Sequence, residues 1–312
     1  MRMEVKSTIE STYKALDVEE TIDIYFYRPL GYWIARACQA LGITPNVVTI
    51  VSIFIGVAGG RLLYYRDFAL NAYGMLLWVI ADTLDSVDGQ LARMTNHKSK
   101  IGRILDGLGG NIMFLSIYLH LWARMVETYP AIGWPVLLLF TLAGGVSHSL
   151  QSSLADYYRN AYLKFVVDET KSELDRADQV RKEYQETSIA KNPVKKILLR
   201  VYVNYTVQQE ALSKNFQRLR KIVDEKFGTN VPSWFKDEYR LLNKPLMKYY
   251  AVLTTNTRMI AMSIFVLADF VPGYFLTEVI GINLVMILVM RRQEKLSAGL
   301  IRMIEDRTTT AR

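Results

Sequence analysis

Apolar runs of about 20 residues, the length that crosses the hydrocarbon core of a bilayer, recur along this chain. Polar segments separate the runs, and several runs contain polar residues of their own. The pattern predicts membrane-spanning helices at residues 44–64, 69–90, 103–126, 132–155, 249–270 and 273–291. The expected fold class is therefore an all-α integral membrane protein with six transmembrane helices.

A shorter amphipathic segment, "RPLGYWIARACQALG", precedes the first run. Pro29 lies near its start, Gly42 lies at its end, and its apolar residues fall mostly on one helical face. This pattern is typical of a helix that lies in the membrane interface. The residues before it lack the basic-then-apolar order of a cleaved signal, so we expect them to stay on the protein.

Basic residues are concentrated on one side of the predicted membrane topology. The joint between the second and third runs contains Arg93, Lys98, Lys100 and Arg103, and residues 166–248 contain 17 Lys and Arg. The opposite connections are short and nearly uncharged. The positive-inside rule therefore places both termini, this joint and the long polar insert in the cytoplasm.

The expected organisation follows from these runs. Residues 1–43 form a cytoplasmic N-terminus and interfacial helix, 44–165 the first four spans, 166–248 a cytoplasmic helical insert, and 249–312 the last two spans and a cytoplasmic tail. The insert has no span-length apolar run and is expected to form charged helices, broken near "KNPVKK" and "GTNVPSW". It lies along the membrane surface or against the bundle, or it is a solvated linker.

Composition agrees with a membrane bundle that carries a polar appendage. The chain has 312 residues, is 51% hydrophobic and carries a net charge of +8. In so apolar a chain, this charge favours an anionic membrane face or anionic substrates over nucleic acid as partners. The single cysteine, Cys38, excludes an internal disulfide.

Three carboxylates flank the joint between the second and third runs. Asp85 and Asp88 lie three residues apart on one helix, and Asp106 lies on the next. A short joint makes these helices antiparallel neighbours, so we expect the acids to converge. Acids at membrane depth usually serve an ion or substrate site, and three carboxylates suit a hard cation such as Mg²⁺. The residues alone leave three interpretations open: phosphate chemistry, a transport site, and a structural cluster of salt bridges.

The cations of the joint and two small residues, Gly89 and Ala92, complete this pattern. Cations beside a metal suit a phosphate-bearing substrate, and small residues let a ligand approach the helix backbone. Metal, arginine and phosphate together are typical of phosphoryl transfer. The three histidines are scattered, which disfavours zinc.

The spacing of these residues resembles the motif of the CDP-alcohol phosphotransferase (CDP-alcohol phosphatidyltransferase) family. The matching residues, seven of the eight fixed positions, are Asp85, Asp88, Gly89, Ala92, Arg93, Gly102 and Asp106. "TPNVVT" at residues 44–49 also resembles the start of the family's first span. The resemblance implies a membrane enzyme of phospholipid synthesis, with six spans after an interfacial helix, that often forms a homodimer.

The resemblance also implies roles for individual residues. Asp85 and Asp106 would bridge two Mg²⁺ or Mn²⁺ ions, and Asp88 would complete the first. A hydroxyl of the acceptor would attack the β-phosphorus of a CDP-alcohol and release CMP, and one of the two substrates would be a lipid. The expected CDP-binding residues are Pro45, Asn46, Thr49, Gly89, Ala92, Arg93, Ser99 and Gly102.

Gly110 departs from the family pattern, which has a fourth aspartate there as metal ligand and general base. Glycine can neither accept a proton nor bind Mg²⁺ through a side chain, so the two-ion site is expected to be weakened. Three interpretations remain. The enzyme uses a substitute such as water, a substrate phosphate or the nearby Asp82; the chain is a silent relative that binds a CDP-linked lipid; or it is a deliberately altered form of an active enzyme.

Polar residues near the cytoplasmic half of the bundle indicate an acceptor pocket. Its candidates are Asn111, Gln151, Asp156 and Arg159, although the same pattern is typical of a polar helix end at the interface. The cations favour CDP-diacylglycerol as donor and a polyol or polyol phosphate, such as inositol phosphate or glycerol phosphate, as acceptor. The alternatives are a soluble CDP-alcohol with a lipid hydroxyl acceptor, and a non-enzymatic CDP-lipid binder or transporter.

Overall fold

Helices make up the regular structure of this chain in the computed structural model, which describes residue 13 and residues 15–96, 100–167, 172–228 and 230–310. No strand occurs within these ranges. The helices are α1 Arg28–Ala40, α2 Pro45–Leu62, α3 Phe68–Met94, α4 Lys100–Thr128, α5 Trp134–Tyr162, α6 Ala177–Glu186, α7 Pro193–Ala211, α8 Lys214–Phe227, α9 Ser233–Asn243, α10 Met247–Val252, α11 Thr255–Leu267, α12 Val271–Leu276 and α13 Asn283–Thr310. Among the shorter turns, Asp23–Tyr27, Leu163–Val167 and Thr277–Ile282 are π-helical.

Helix boundaries follow residues with restricted backbones or capping side chains. α2 and α7 begin at Pro45 and Pro193, whose fixed φ suits the first helical turn. The Asp67 carboxylate accepts a hydrogen bond of 2.8 Å from the Leu70 amide and caps α3. α3 ends before Asn96, which adopts a left-handed φ of 55°. The chain therefore leaves the helix directly after the motif residues on α3.

Four stretches of the described chain are helical, long and apolar enough to cross a bilayer: Pro45–Leu62, Lys100–Thr128, Ser233–Leu267 and Val271–Arg307. They overlap the predicted spans one, three, five and six. α3 and α5 cover the predicted second and fourth spans with 27 and 29 residues. They are not among the four, because polar residues interrupt their apolar stretches. The all-helical class is confirmed, whereas the count of six spans stays a prediction.

The described chain forms two compact units, and Met1–Ser147 with Arg258–Val279 makes up unit 1. Within it, α2 packs along α3 and against α4, and α1 packs against α3. The crossing of α2 and α3 is close, because a Cβ on Gly59 would lie 2.8 Å from the Gly74 carbonyl oxygen. Trp78 is buried in the core beside this crossing. Glycine at both positions therefore permits the close approach of the two helices.

Arg124 on α4 is a buried cation that joins distant parts of unit 1. Its guanidinium donates to the carbonyl oxygens of Leu63 and Tyr65, which follow α2, at 3.0 and 3.2 Å. It also donates to the Val266 carbonyl oxygen on α11 at 3.3 Å and to the Asp269 carboxylate at 2.7 Å. One side chain therefore satisfies backbone acceptors near the ends of two helices.

A second buried ion pair joins Arg258 on α11 to Glu278 in the Thr277–Ile282 turn. The Arg258 Nε and the Glu278 Oε1 are 3.0 Å apart, and both side chains are fully buried. Either charge alone would carry a large desolvation cost, so the two stabilise this interior only as a pair.

Unit 2 comprises His148–Thr257 and Ile280–Arg312. Phe165 lies at the centre of its aromatic core and makes edge-to-face contacts with Phe235 and Tyr239. α6 and α7 pack together as a helical hairpin, and α8 packs against α13. The breaks predicted near "KNPVKK" and "GTNVPSW" fall between α6 and α7 and between α8 and α9.

Glu294 on α13 caps α8. Its carboxylate accepts hydrogen bonds from the backbone amides of Asn215 and Phe216, at 2.7 and 3.2 Å. An acid at a helix N-terminus interacts favourably with the exposed amides and the helix dipole. The chain beyond the last predicted span is thereby fixed to the insert within unit 2.

Candidate active site

Asp85 and Asp88 on α3 meet Asp106 on α4. One carboxylate oxygen from each residue lies within 4.8 Å of the other two. Asp88 is buried, with 5% of its surface exposed, and the other two are half-buried. The convergence expected from the helical spacing is therefore present.

Thr49, in the first turns of α2, contacts this cluster. Its hydroxyl donates a hydrogen bond to the Asp88 carboxylate and also lies 3.1 Å from the Pro45 carbonyl oxygen. α2 runs close to α4 here, because a Cβ on Gly109 would lie 2.8 Å from the Ile53 Cδ1. The sequence grouped Thr49 with CDP contacts, whereas in the structure its hydroxyl contacts the Asp88 carboxylate.

The Arg93 guanidinium folds back over Gly89, one turn earlier on α3. A Cβ on Gly89 would lie 3.4 Å from Nη2 and 3.5 Å from Nη1 of Arg93. A larger residue at position 89 would push the guanidinium outward. The glycine therefore keeps this cation close to the backbone that follows Asp88.

The other expected CDP-binding residues lie on the same three helices. Pro45 is half-buried and Asn46 is exposed at the start of α2. Ala92 on α3 and Gly102 on α4 are half-buried, and Ser99 lies outside the described residues. Their contacts with a nucleotide stay predictions.

Gly110 follows Asp106 by one turn on α4, and among the described residues nothing beyond its chain neighbours and its own helix backbone lies within 4 Å of a Cβ built on it. The same is true of Gly107. Because residues four apart share a helical face, an aspartate at position 110 would point to the side of Asp106 without displacing a neighbour. Asn111 is exposed, and its side-chain amide donates to the Gly107 carbonyl oxygen at 2.8 Å. Asn111 is thus bound to its own helix.

Asp82, the acid considered as a substitute for the missing aspartate, lies one turn before Asp85. Among the described residues, the group of converging carboxylates does not include it. Tyr27 forms a hydrogen bond with Asp82. Burial and this neighbouring carboxylate raise the pKa of Tyr27, so the phenol keeps its proton and acts as the donor. Asp82 is therefore engaged with the turn that precedes α1.

Gln151, Asp156 and Arg159, the remaining acceptor-pocket candidates, lie on the part of α5 that belongs to unit 2. Gln151 is fully buried and donates to the Asn283 side chain at 2.9 Å. Asp156 accepts a hydrogen bond of 3.1 Å from Tyr205, whose pKa is raised by burial and by this carboxylate. Gln151 and Asp156 thus have partners within the protein, and a role in acceptor binding stays a prediction for all three.

Gln90 is a residue near the cluster that sequence reasoning missed. It is fully buried, two residues after Asp88, and donates to the Arg28 carbonyl oxygen at 3.1 Å and to the Ser86 hydroxyl at 3.2 Å. Gly31 on α1 provides the space, since a Cβ there would lie 2.8 Å from the Gln90 amide nitrogen. Gln90 therefore fixes α1 against α3, and the available signal was a glycine inside an amphipathic helix.

The donor set fits a hard divalent cation. Three carboxylates offer only oxygen ligands, which Mg²⁺ and Mn²⁺ prefer over nitrogen and sulfur. Three negative charges this close repel one another, so a cation between them would be strongly favourable. Asp85, Asp88 and Asp106 are the residues that would hold it, and the identity of the metal stays a prediction.

The model of the CDP-alcohol phosphatidyltransferase family matches residues 42–167, which contain the three carboxylates and Gly110. These residues are similar to a CDP-alcohol phosphatidyltransferase domain. The resemblance drawn from the motif is thereby confirmed. Members of the family are transferases and generally depend on a divalent metal.

Several curated proteins are similar to part of this chain. The CDP-diacylglycerol–serine O-phosphatidyltransferase of Mycobacterium tuberculosis is 31% identical over 106 residues, 33% of this chain and 35% of that protein. The archaetidylinositol phosphate synthase of Pyrococcus horikoshii is 40% identical over 73 residues, 23% of this chain and 37% of that protein. The ceramide phosphoethanolamine synthase of Drosophila melanogaster is 27% identical over 124 residues, 35% of this chain and 31% of that protein.

The chain spans about a third of the length of the curated relatives that it matches. No solved structure matches the chain.

Proposed function

We propose that this chain is an integral membrane enzyme of phospholipid synthesis. It transfers a phosphatidyl or phospho-alcohol group from a CDP-alcohol, CDP-diacylglycerol in the first instance, to a hydroxyl acceptor and releases CMP. The acceptor is a polyol or polyol phosphate such as inositol phosphate or glycerol phosphate. The names of two relatives support a polar acceptor, because one states serine as the acceptor and the other states an inositol phosphate product.

The observation that carries the proposal is the carboxylate cluster inside the matched domain. Asp85, Asp88 and Asp106 place three oxygens within 4.8 Å of one another on helices α3 and α4. Three carboxylates this close together repel one another, and a bound cation would relieve that repulsion. This arrangement supports a metal-dependent site over a structural one.

Each residue of the site has a separate role in the reaction. Asp85, Asp88 and Asp106 hold the divalent ion, which supplies neutralisation of the diphosphate charge when bound. Arg93, lying over Gly89, contacts the donor's phosphates. The acceptor oxygen forms a bond to the phosphorus that carries the alcohol, and the bond to the CMP oxygen breaks. The acceptor's proton passes to water or to a substrate phosphate, because Gly110 offers no proton acceptor.

The proposed topology has six spans after an interfacial α1, with the active site on the cytoplasmic side. α3 and α5, at 27 and 29 residues, are each about 40 Å long and exceed the hydrocarbon thickness. Their polar residues cluster toward one end, where α3 carries the motif. The basic residues of the joint and insert support the cytoplasmic orientation. A homodimer remains an expectation from the family resemblance.

The test is CMP release by the purified full chain in lipid, with Mg²⁺ and CDP-diacylglycerol, across a panel of polyols, polyol phosphates and serine. We expect release that requires Mg²⁺ and one acceptor class, and its loss in Asp85→Asn and Asp106→Asn. Asp237→Asn, an exposed acid on α9, is the matched control and should retain turnover. Full activity of either cluster variant would refute the metal-dependent site.

A second candidate function is binding of a CDP-linked lipid without turnover, and Gly110 is the observation that favours it. General-base assistance is worth roughly 10²–10⁴-fold, so its loss alone would leave a slow enzyme or a binder. Equilibrium binding of CDP-diacylglycerol to the unmodified chain, without CMP release from any acceptor, would establish this candidate. A soluble CDP-alcohol with a ceramide or diacylglycerol acceptor is the other donor pairing to include, since one relative's name states a ceramide product.

A further inference from the structure

The tip of the α6–α7 hairpin presents exposed apolar side chains. Val194, Ile197 and Val201 on α7 are 66%, 60% and 43% exposed, and Ile189 in the preceding turn is 65% exposed. Positions three and seven residues apart lie on one side of a helix, so the three form a continuous stripe. The opposite side of α7, with Leu199 and its neighbours, is buried against the rest of the hairpin. We refer to Ile189, Val194, Ile197 and Val201 as the hairpin stripe.

The segment that carries the hairpin stripe has basic residues and no acidic ones, although Lys195 pairs with Glu183 on α6 at 3.0 Å. Residues 187–209 contain no Asp or Glu, and they contain Lys191, Lys195, Lys196 and Arg200. Lys191 and Arg200 are exposed beside the stripe. An apolar helical face with adjacent cations is the pattern of a helix that binds an anionic bilayer surface. A cognate protein surface would instead be expected to require a mixture of polar contacts.

The position of α7 brings the stripe near the end of a helix that we propose to cross the bilayer. Tyr205 donates to the Asp156 carboxylate at 3.1 Å, and Gln209 donates to the Ser153 carbonyl oxygen at 3.1 Å. Asp156 and Ser153 lie at the boundary of the predicted fourth span. Val201 and Tyr205 are four residues apart, so the stripe continues toward the contact with α5.

We propose that the hairpin stripe docks on the anionic cytoplasmic face of the bilayer and holds the α6–α7 hairpin against the membrane. The placement of α5 rests on the proposed function, but the docking itself does not depend on catalysis. Hydrophobic side chains enter the headgroup region, and the exposed Lys191 and Arg200 gain from the negative surface potential. The insert is then a peripheral membrane element of unit 2.

The test uses the full chain in vesicles of phosphatidylcholine with about one third phosphatidylglycerol, near the anionic content of a cytoplasmic leaflet. Ile197→Cys, in a Cys38→Ser background, carries a bimane probe, and nitroxide-labelled lipids act as quenchers. The matched control is Gln185→Cys, an exposed position on α6. We expect a blue shift and strong lipid quenching at 197, and neither at 185.

Two further measurements test whether lipid or a second copy of the chain covers the hairpin stripe. Pure phosphatidylcholine vesicles, or high salt, should weaken quenching at position 197, because both remove the electrostatic attraction. A blue shift without lipid quenching, rising with protein density, would mean that a second copy covers the stripe and would overturn the proposal. The proposal would also be overturned if the emission and the lipid quenching of the probe at position 197 equalled those of the probe at position 185. CMP release, measured on the same vesicles, reports the proposed function separately.

Discussion

At the scale of single residues, the cluster depends on how each carboxylate is supported. Asp88 is the most buried of the three acids, and the Thr49 hydroxyl on a different helix donates to it. Such a bond orients a ligand toward a metal and offsets the burial of its charge. Asp106 and Asp85 are more exposed and sit on facing helices. The geometry of the cluster is therefore set partly by α2, outside the motif itself.

Replacing Thr49 with valine should weaken metal-dependent activity. Valine keeps the size and shape of threonine but donates no hydrogen bond to Asp88, and loss of such a supporting partner typically costs about 10–100-fold in metal affinity or activity. A titration of CMP release against Mg²⁺ should show a higher Mg²⁺ requirement in Thr49→Val. Thr49→Ser retains the hydroxyl and should behave as the unmodified chain; equal Mg²⁺ requirements in both variants would contradict this role.

Restoring the fourth acid should raise turnover. A Cβ on Gly110 meets no atom within 4 Å, so Gly110→Asp fits on the Asp106 side of α4 and supplies both a ligand and a proton acceptor. We expect the CMP release rate to rise by roughly 10²–10⁴-fold if the missing base limits the reaction. Gly107→Asp, equally unobstructed but one residue from Asp106, is the matched control and should give no gain. An unchanged rate in Gly110→Asp would show that another group already accepts the proton.

At the scale of helices, the sequence predicted the position of most elements because apolar period and length report what a bilayer requires. α3, α4 and α5 extend beyond the predicted spans, because polar residues continue each helix. Hydropathy does not show where these polar extensions end. The predicted fifth span is two helices, α10 and α11, joined at residues 253 and 254, and the sixth contains a π-helical turn. These breaks depend on tertiary contacts, so periodicity alone missed them.

The sequence likewise predicted some contacts of the candidate site and missed others. The convergence of Asp85, Asp88 and Asp106 follows from helical spacing and a short joint, which a sequence displays directly. The contact of Thr49 with Asp88 and that of Gln90 with Arg28 join residues 39 and 62 positions apart, and no local pattern encodes such pairings.

The close crossing of α2 and α3 leads to a prediction about stability at the scale of helices. A side chain on Gly59 would collide with the Gly74 backbone, which cannot move aside as a flexible side chain does. We expect Gly59→Leu to lower the free energy of unfolding by about 1–3 kcal/mol or more, as overpacking does in cores. The measurement is thermal unfolding in detergent. Gly299→Ala on α13, where a Cβ meets no atom within 4 Å, should leave the Tm unchanged or slightly raised.

At the scale of the whole molecule, a few charged side chains hold distant segments together. In unit 1, Arg124 connects the end of α2 to the end of α11, some 200 residues later in the sequence. In unit 2, Glu294 connects α13 to the first turn of α8. The cations that give the chain its net charge of +8 thus serve both packing and the proposed membrane contacts.

Arg124→Met should destabilise the protein as a whole. Methionine fills similar volume, but it leaves the buried carbonyl oxygens of Leu63 and Val266 without their donor. We expect a loss of about 3 kcal/mol, seen as a lower Tm and faster proteolysis of the full chain. Arg124→Lys keeps the charge but reaches fewer acceptors at once, so its Tm should be intermediate. A Tm for Arg124→Met equal to that of the unmodified chain would contradict the linking role.

The buried pair of Arg258 and Glu278 has a consequence for how the protein is made. Each residue lies in a stretch long and apolar enough to span the bilayer, yet a lone charge at the centre of a span adds about 2.5–3.5 kcal/mol to the cost of leaving the translocon. Each stretch therefore enters lipid less readily while its partner is still unsynthesised. We expect the two to insert more favourably together, as a hairpin, than one after the other.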